Sequence, residues 1–163
     1  MIERIFIGAG ITVFVLLFGL AVWMRSLEHD PKRWHVVLWE ASRTGDRNDY
    51  FLAPASFDLI AVDRRAPLFA TDARTLMWRI DAIANNQGAK RIAGSVDELH
   101  ATYVEQSRVF AFPDYITVRA IEEDGGSTLM IWSRARFGSA DMGVNRKRIE
   151  NWMRRLERLP KKN

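Results

Sequence analysis

The side chains that could carry chemistry are few and widely spaced in this chain. Its three histidines are His29, His35 and His100, and none of them forms the H-E-x-x-H spacing of a zinc-binding helix. The chain has no cysteine, which excludes thiolate nucleophiles, disulfides and Cys-ligated metals. It also lacks the G-x-S-x-G, P-loop and G-x-G-x-x-G motifs. We therefore predict no catalytic residue, no metal site and no cofactor, and we favour a protein that is not an enzyme.

A denser group of charged and amide side chains lies in the last third of the chain. It comprises Asp114, Arg134, Arg136, Asp141, Asn145 and Arg146. Arg134 and Arg136 are two positions apart on a predicted strand, so their side chains share a face. In the favoured arrangement these arginines bridge Asp114 and Asp141 in a structural network. In the alternative, the arginines and Asn145 converge near a helix N terminus on a carboxylate or phosphate.

The C-terminal residues of the chain are basic. Residues 144–163 hold eight Lys and Arg against two Glu, a charge of +6, whereas the whole chain carries +4. The predicted basic surface consists of Lys147, Arg154, Arg155 and Arg158. A basic amphipathic helix can lie on anionic lipid or meet an acidic partner, and it can equally be a solvated face. The chain has no basic–aromatic motif that would predict nucleic acid as a partner.

The stretch from 112 to 149 resembles the C-terminal signature of the domain-of-unknown-function family 1499. That signature reads roughly F-P-D and then S-x-S-R-x-G-x-x-D-x-G-x-N-R-x-R-I. Residues 112–114 match its first part, and the second part is matched by Arg136, Gly138, Asp141, Gly143, Asn145, Arg146, Arg148 and Ile149. Ala135 stands where a serine is usual. The resemblance covers roughly residues 55–158. It implies no activity, but family members commonly carry export or anchoring segments, which favours a periplasmic domain.

Hydrophobic periodicity indicates the elements that must position these residues. The helical period predicts helices over 71–85 and 144–159, and alternation predicts strands over 89–93, 101–110, 115–121 and 128–134. A first strand is predicted over 59–62, whereas residues 50–57, which contain Pro54, are predicted to be irregular. The fold class is therefore α+β, an antiparallel sheet packed by two helices and preceded by one N-terminal transmembrane helix.

The N-terminal segment decides the predicted topology. Residues 5–24 are a run of 20 without a charge or a proline, and a helix of that length spans the ~30 Å hydrocarbon layer. A cleavable signal peptide is the alternative, although its apolar region is usually shorter. We predict an anchor over 1–25, a linker and irregular segment over 26–57, and an α+β domain over 58–163. The positive-inside rule alone would keep that domain in the cytoplasm, in contrast to the family resemblance.

These patterns together predict a membrane-anchored, non-catalytic interaction protein of the bacterial inner membrane. We expect an accessory subunit or assembly partner whose anchor contacts lipid and whose partner is an integral membrane protein complex. The alternative is a periplasmic module that binds an anionic ligand or a lipid.

Overall fold

The computed structural model describes residues 2–43, 47–57 and 61–156. Its elements, in chain order, are α1 (Ile2–Arg25), α2 (Pro31–Trp34), a 3-10 helix (Leu38–Glu40), β1 (Asp49–Ala53), β2 (Arg64–Arg65), α3 (Ala73–Asn86), β3 (Lys90–Ser95), β4 (His100–Gln106), β5 (Pro113–Glu123), β6 (Gly126–Ala135) and α4 (Val144–Leu156). The predicted helices over 71–85 and 144–159 correspond to α3 and α4. Residues 157–159 of the second prediction lie outside the described residues.

One six-stranded sheet organises the domain. The strand order is β2-β1-β6-β5-β4-β3. Neighbouring strands are antiparallel except β1 and β2, which are parallel. The longest ladder is the β5–β6 hairpin, which closes through the two-residue turn Asp124-Gly125 with a positive φ of 77° at the glycine. The α+β class is confirmed.

The helices α3 and α4 cover one face of the sheet, here called the helix face. Asp72 caps α3, because its Oδ1 accepts a hydrogen bond of 2.8 Å from the Thr75 amide. The apolar sides of both helices pack on alternate residues of the strands. The buried side chains of this core include Leu76, Ile80, Tyr103, Ile116, Val118, Leu129, Ile131, Ile149 and Trp152.

Residues 26–43, here called the strap, cross the other face of the sheet. Trp34 of the strap stacks on Tyr115 of β5, with 3.7 Å between the ring centroids and 7° between the ring planes. Further along, the strap buries Leu38, which packs with Phe51, Met130 and Trp132. This face of the sheet, the strap face, is therefore a second packed layer and not a solvated surface.

Two expectations for residues 26–62 differ from the structure. Residues 49–53, predicted to be irregular, form β1 beside β6. The prediction failed because β1 is buried on both faces, with Tyr50 and Leu52 in one layer and Phe51 in the other, so it shows no polar alternation. Of the strand predicted over 59–62, residues 61 and 62 are not in a strand, and residues 59 and 60 lie outside the described residues.

The N-terminal helix α1 is long and apolar enough to cross a membrane, over Phe6–Arg25. Most of its apolar side chains are exposed, but Ala21 and Met24 in its last turns are buried. The Gln106 side chain donates a hydrogen bond of 3.1 Å to the Met24 carbonyl. Since Gln106 is the last residue of β4, the end of α1 lies against this end of the sheet.

Candidate functional site

The sheet separates the residues that were expected to act together. Asp114 contacts α4 on the helix face, whereas Arg134 contacts the strap on the opposite face. Arg136 joins Arg134 on the strap face, where it contacts Glu28 and Tyr115, as their alternate spacing predicts. The expected bridge from these arginines to Asp114 and Asp141 is therefore wrong.

Arg148 holds the network on the helix face. Its guanidinium donates to a Glu105 carboxylate oxygen and to a carboxylate oxygen of Asp114, each at 2.8 Å. It also donates to the Ser133 hydroxyl at 3.0 Å and to Asn145 Oδ1 at 2.7 Å. The Asn145 amide group in turn donates to the Asn48 carbonyl at 3.0 Å. These contacts tie α4 to four strands or their ends, which is a structural role.

The charges of this network shift the pKa values of its members. Burial alone lowers the pKa of Arg148, but the charges of Asp114 and Glu105 outweigh burial and raise it above its usual value. Burial raises the pKa of Asp114, and the attraction of Arg148 offsets only part of that rise. The network therefore contains a carboxylate that is costly to bury and that depends on a single arginine.

The N terminus of α4 is already occupied by a carboxylate of the chain itself. Asp141 accepts hydrogen bonds from the Gly143 amide at 2.8 Å and the Asn145 amide at 2.7 Å. These are the donors that an external anion would need. Arg146 is exposed on the same helix and does not share a cleft with Arg134 and Arg136. The expected anion site at this helix end is therefore wrong.

On the strap face, the guanidinium of Arg134 is buried without a paired carboxylate. It donates to the Trp34 carbonyl at 2.6 Å and to the Thr117 hydroxyl at 3.2 Å, both neutral oxygens. It lies 4.2 Å from the Trp132 ring centroid and 5.6 Å from that of Trp34, within reach of cation–π attraction. Among the described residues no carboxylate forms an ion pair with it. Burial lowers the pKa of Arg134 to about 10, and Asp49 and Tyr115 offset this only in part.

A cleft of about 350 Å³ opens beside this guanidinium, between the strap and the start of β1. We call it the arginine cleft. Its lining comprises Arg33, Trp34, Val36, Ser42, Asn48, Asp49, Trp132, Arg134, Ala135 and Arg136. Three guanidinium groups thus face one carboxylate across a partly apolar lining. The family-typical serine at position 135 would also line this cleft, where the present chain has an alanine.

The single carboxylate of the arginine cleft already has its own partners. Asp49 accepts two hydrogen bonds from Arg43, at 2.6 and 2.9 Å, and one from the Trp132 indole at 2.7 Å. The hydrogen bond with Asp49 raises the pKa of Arg43, as expected for a tight pair. Within the described ranges, no carboxylate forms an ion pair with Arg33, Arg134 or Arg136 in this cleft.

A second basic concavity, of about 430 Å³, follows the outer side of α4 and is lined by Gly143, Arg146, Lys147, Glu150 and Arg154. Its lining comes from α4 and the residue before it and includes no buried side chain, and its one carboxylate, Glu150, is already paired with Arg64. Of the predicted basic surface, Lys147, Arg154 and Arg155 are exposed. Arg158 lies outside the described residues.

The three histidines lie on the strap or on the face that it covers. His29 Nδ1 lies 2.8 Å from the Tyr115 hydroxyl, and His35 Nδ1 lies 2.9 Å from the Thr102 hydroxyl. His35 stacks on His100 with 4.0 Å between ring centroids. Within the described ranges, no group of three or more His, Asp or Glu side chains could hold a metal ion.

Sequence patterns missed Arg33, Trp34 and Asp49 as residues of this site. The only local signal at Arg33 and Trp34 is an aromatic residue beside a cation, which is common on protein surfaces. They meet Arg134 because the strap crosses the sheet, and a crossing of that kind leaves no periodic trace in sequence.

The fold and this site define an α+β domain attached to an apolar N-terminal helix, with a basic cleft at the end of the sheet nearest that helix. Residues 27–156 match the model of the family described as "Protein of unknown function (DUF1499)". The chain belongs to this family, and the match begins before the expected residue 55, so that it includes the strap and β1. No curated protein and no solved structure matches the chain significantly.

Proposed function

We propose that this protein is a membrane-anchored, non-catalytic binding protein and that its arginine cleft holds an anionic group. The observation that carries the proposal is the buried guanidinium of Arg134, whose hydrogen bonds within the described residues go to neutral oxygens. A buried charge is costly unless it is paired. The planar donors of Arg134 and Arg136 suit the paired oxygens of a phosphate or carboxylate.

The chemistry of the cleft also limits what binds there. Trp34 and Trp132 supply flat apolar walls, so the favoured ligand carries an apolar part beside its anionic group. A lipid phosphate and a free phosphate ester both meet this description. The carboxylate of the lining, Asp49, is held by Arg43 and Trp132. Within the described residues it has no hydrogen bond to the Ser42 hydroxyl that would activate a nucleophile, which favours binding over catalysis.

A titration with inorganic phosphate tests this proposal. The full chain in mild detergent is expected to gain thermal stability with phosphate, by about 2.7 kcal/mol at 100 times the dissociation constant. The double variant Arg33→Gln/Arg136→Gln should lose most of this gain. The control Arg74→Gln/Arg79→Gln removes two exposed charges from α3 and should keep it. An equal gain in both variants would refute the cleft as the site.

Nanodiscs of two lipid compositions distinguish a lipid headgroup from a soluble ester as the source of the anionic group. If the ligand is a lipid headgroup, nanodiscs containing phosphatidylglycerol should stabilise the domain beyond those of phosphatidylcholine, again only with Arg33 and Arg136 intact. If it is a soluble ester, the two nanodiscs should be equivalent while inorganic phosphate remains effective.

We further propose that α1 is retained as a membrane anchor and that the domain faces the periplasm. The contacts between the end of α1 and the domain, including Gln106 to Met24, support retention, because a cleaved signal would leave them unmade. The family resemblance supports the periplasmic side. Protease added to intact spheroplasts should degrade the domain, and protection of the domain would contradict this orientation.

An accessory subunit of a membrane complex is the second candidate function. It is favoured by the outer side of α4, where Arg146, Lys147, Arg154 and Arg155 are exposed and Glu150 is already paired with Arg64. Such a surface fits an acidic patch on a partner. In a mild-detergent pull-down, Arg154→Glu/Arg155→Glu should release a stoichiometric partner that the full chain retains. Recovery of the chain alone in both cases would exclude this role.

A further inference from the structure

The loop between β4 and β5 exposes a patch of apolar side chains at the end of the sheet. Val109 is 70% exposed, Phe110 36% and Phe112 38%, and Phe137 after β6 is 39% exposed. The rings form a continuous row, with centroids 6.0 Å apart from Phe110 to Phe112 and 6.4 Å apart from Phe112 to Phe137. Single exposed apolar residues are ordinary, but a contiguous aromatic row marks an interaction surface.

The loop is held in the shape that exposes this row. The Phe112 carbonyl accepts a hydrogen bond of 3.0 Å from the Ser107 amide, and the Ser107 hydroxyl accepts one of 3.0 Å from the Phe112 amide. The Ala111 amide donates to the Ser107 carbonyl at 3.0 Å. Ala111 is buried with a positive φ of 57°, a conformation that non-glycine residues adopt only where neighbours impose it. Ala111 is thus buried, whereas its neighbours Phe110 and Phe112 are exposed.

The same loop is joined to the end of α1. The Arg25 guanidinium donates a hydrogen bond of 3.2 Å to the Arg108 carbonyl, next to the contact between Gln106 and Met24. Trp23 is exposed in the last turn of α1, where an amphipathic ring suits the headgroup region. The start of this loop therefore lies beside the last turn of α1, where α1 would leave a bilayer that it spans.

We propose that Val109, Phe110, Phe112 and Phe137 form a docking edge that inserts into the surface of the bilayer that α1 spans. Lipid is the occupant that the structure favours, because the edge is continuous with the lipid-facing helix. Exposed Phe side chains bury at the boundary between the headgroups and the acyl chains. Arg25 and Arg108 lie beside the row, as expected beside anionic headgroups, although the exposed Glu28 on the strap lies nearby as well.

The docking edge has a consequence for the arginine cleft. Arg136 lines the cleft, and the next residue, Phe137, belongs to the edge. An inserted edge would therefore hold the cleft close to the headgroups. This inference rests on the membrane anchoring proposed above, but it does not depend on the cleft binding a ligand.

Spin labelling tests the docking edge directly, because the chain has no native cysteine. The full chain with Val109→Cys is spin-labelled and placed in nanodiscs of phosphatidylcholine and phosphatidylglycerol. The matched control is Trp78→Cys, 61% exposed on α3 beside Asp97, at the opposite end of the sheet. We expect a several-fold higher ratio of oxygen to nickel-chelate collisions at position 109 than at position 78.

Three results would overturn the docking edge. The label at 109 could match the control and so lie in water, or it could be protected from both collision partners and so be covered by protein. The label at 109 could also keep its high ratio of oxygen to nickel-chelate collisions in the double variant Phe112→Ser/Phe137→Ser. The proposal predicts that this variant lowers the ratio, because the edge would no longer insert. Failure of the cleft is distinguishable with Arg33→Gln alone, which should weaken stabilisation by phosphate and leave the collision ratio unchanged. Arg136→Gln is unsuitable for this comparison, because the Arg136 guanidinium lies 5.4 Å from the centroid of the Phe137 ring.

Discussion

Replacing Arg148 with methionine is expected to destabilise the domain more than any change at an exposed arginine of α4. The Arg148 side chain is 8% exposed and that of Asp114 is 13% exposed, so the pair is nearly dry. Removing one partner of a buried ion pair costs about 3–5 kcal/mol. Glu105 is 30% exposed and can hydrate, and Asp114 can take up a proton, so the lower end applies. We expect a loss of about 3 kcal/mol, which corresponds to roughly 10 °C in Tm.

Thermal unfolding of the full chain in mild detergent measures this loss, with Arg154→Met as the exposed control on the same helix. The control should change stability by less than about 0.5 kcal/mol. The loss should shrink as the pH falls from 8 to 5, because the unpaired Asp114, whose pKa burial already raises, then protonates at little cost. Asp114→Asn should lower the free energy of unfolding by less than Arg148→Met does. It leaves no unpaired carboxylate at position 114, and Arg148 keeps its ion pair with Glu105. Equal stability of Arg148→Met and Arg154→Met would refute the network as the contact that docks α4.

Two further predictions concern the strap face and the sheet edge. Burial, followed by the charges of His35 and Arg119, lowers the pKa of His100 to about 4, below the unfolded value of 6.5. The folded state should therefore be fully stabilised above about pH 6.5 and lose roughly 3 kcal/mol as the pH falls to 4, as read from urea unfolding; a flat profile, or one unchanged in His100→Gln, would contradict this. Gly94→Ala should destabilise the domain far more than Gly88→Ala. Both glycines have a positive φ, which costs alanine about 1–2 kcal/mol, but of the two only Gly94 would place a Cβ 2.1 Å from the His100 carbonyl oxygen. Equal chemical-denaturation midpoints for the two variants would be inconsistent with this geometry.

Local patterns were sufficient for much of the fold. The helical period of Leu76, Ile80 and Ala84 located α3, and alternation located β5 and β6. Alternation also placed Arg134 and Arg136 on one face of the sheet, as the structure has them. These features depend on residues close in sequence, where periodicity and capping act.

Features that depend on distant residues were missed or assigned to the wrong partners. Asp114 pairs with Arg148 and not with Arg134, because the sheet has two faces and the sequence does not say which face α4 covers. Trp34 and Arg33 reach Arg134 only because residues 26–43 return across the sheet. Of the predicted arginines, Arg134 and Arg136 line the cleft and Arg146 does not, and the strap that completes the cleft was not part of the prediction.

We propose that the arginine cleft holds an anionic group at a membrane surface, and native mass spectrometry of the full chain released from membranes can detect that group. We predict that the chain retains a phosphate- or carboxylate-bearing molecule, whose mass distinguishes a lipid from a soluble ester. Arg33→Gln/Arg136→Gln should lose this molecule, and Arg74→Gln/Arg79→Gln should keep it. A bare chain, or the same bound mass in both double variants, would contradict the claim.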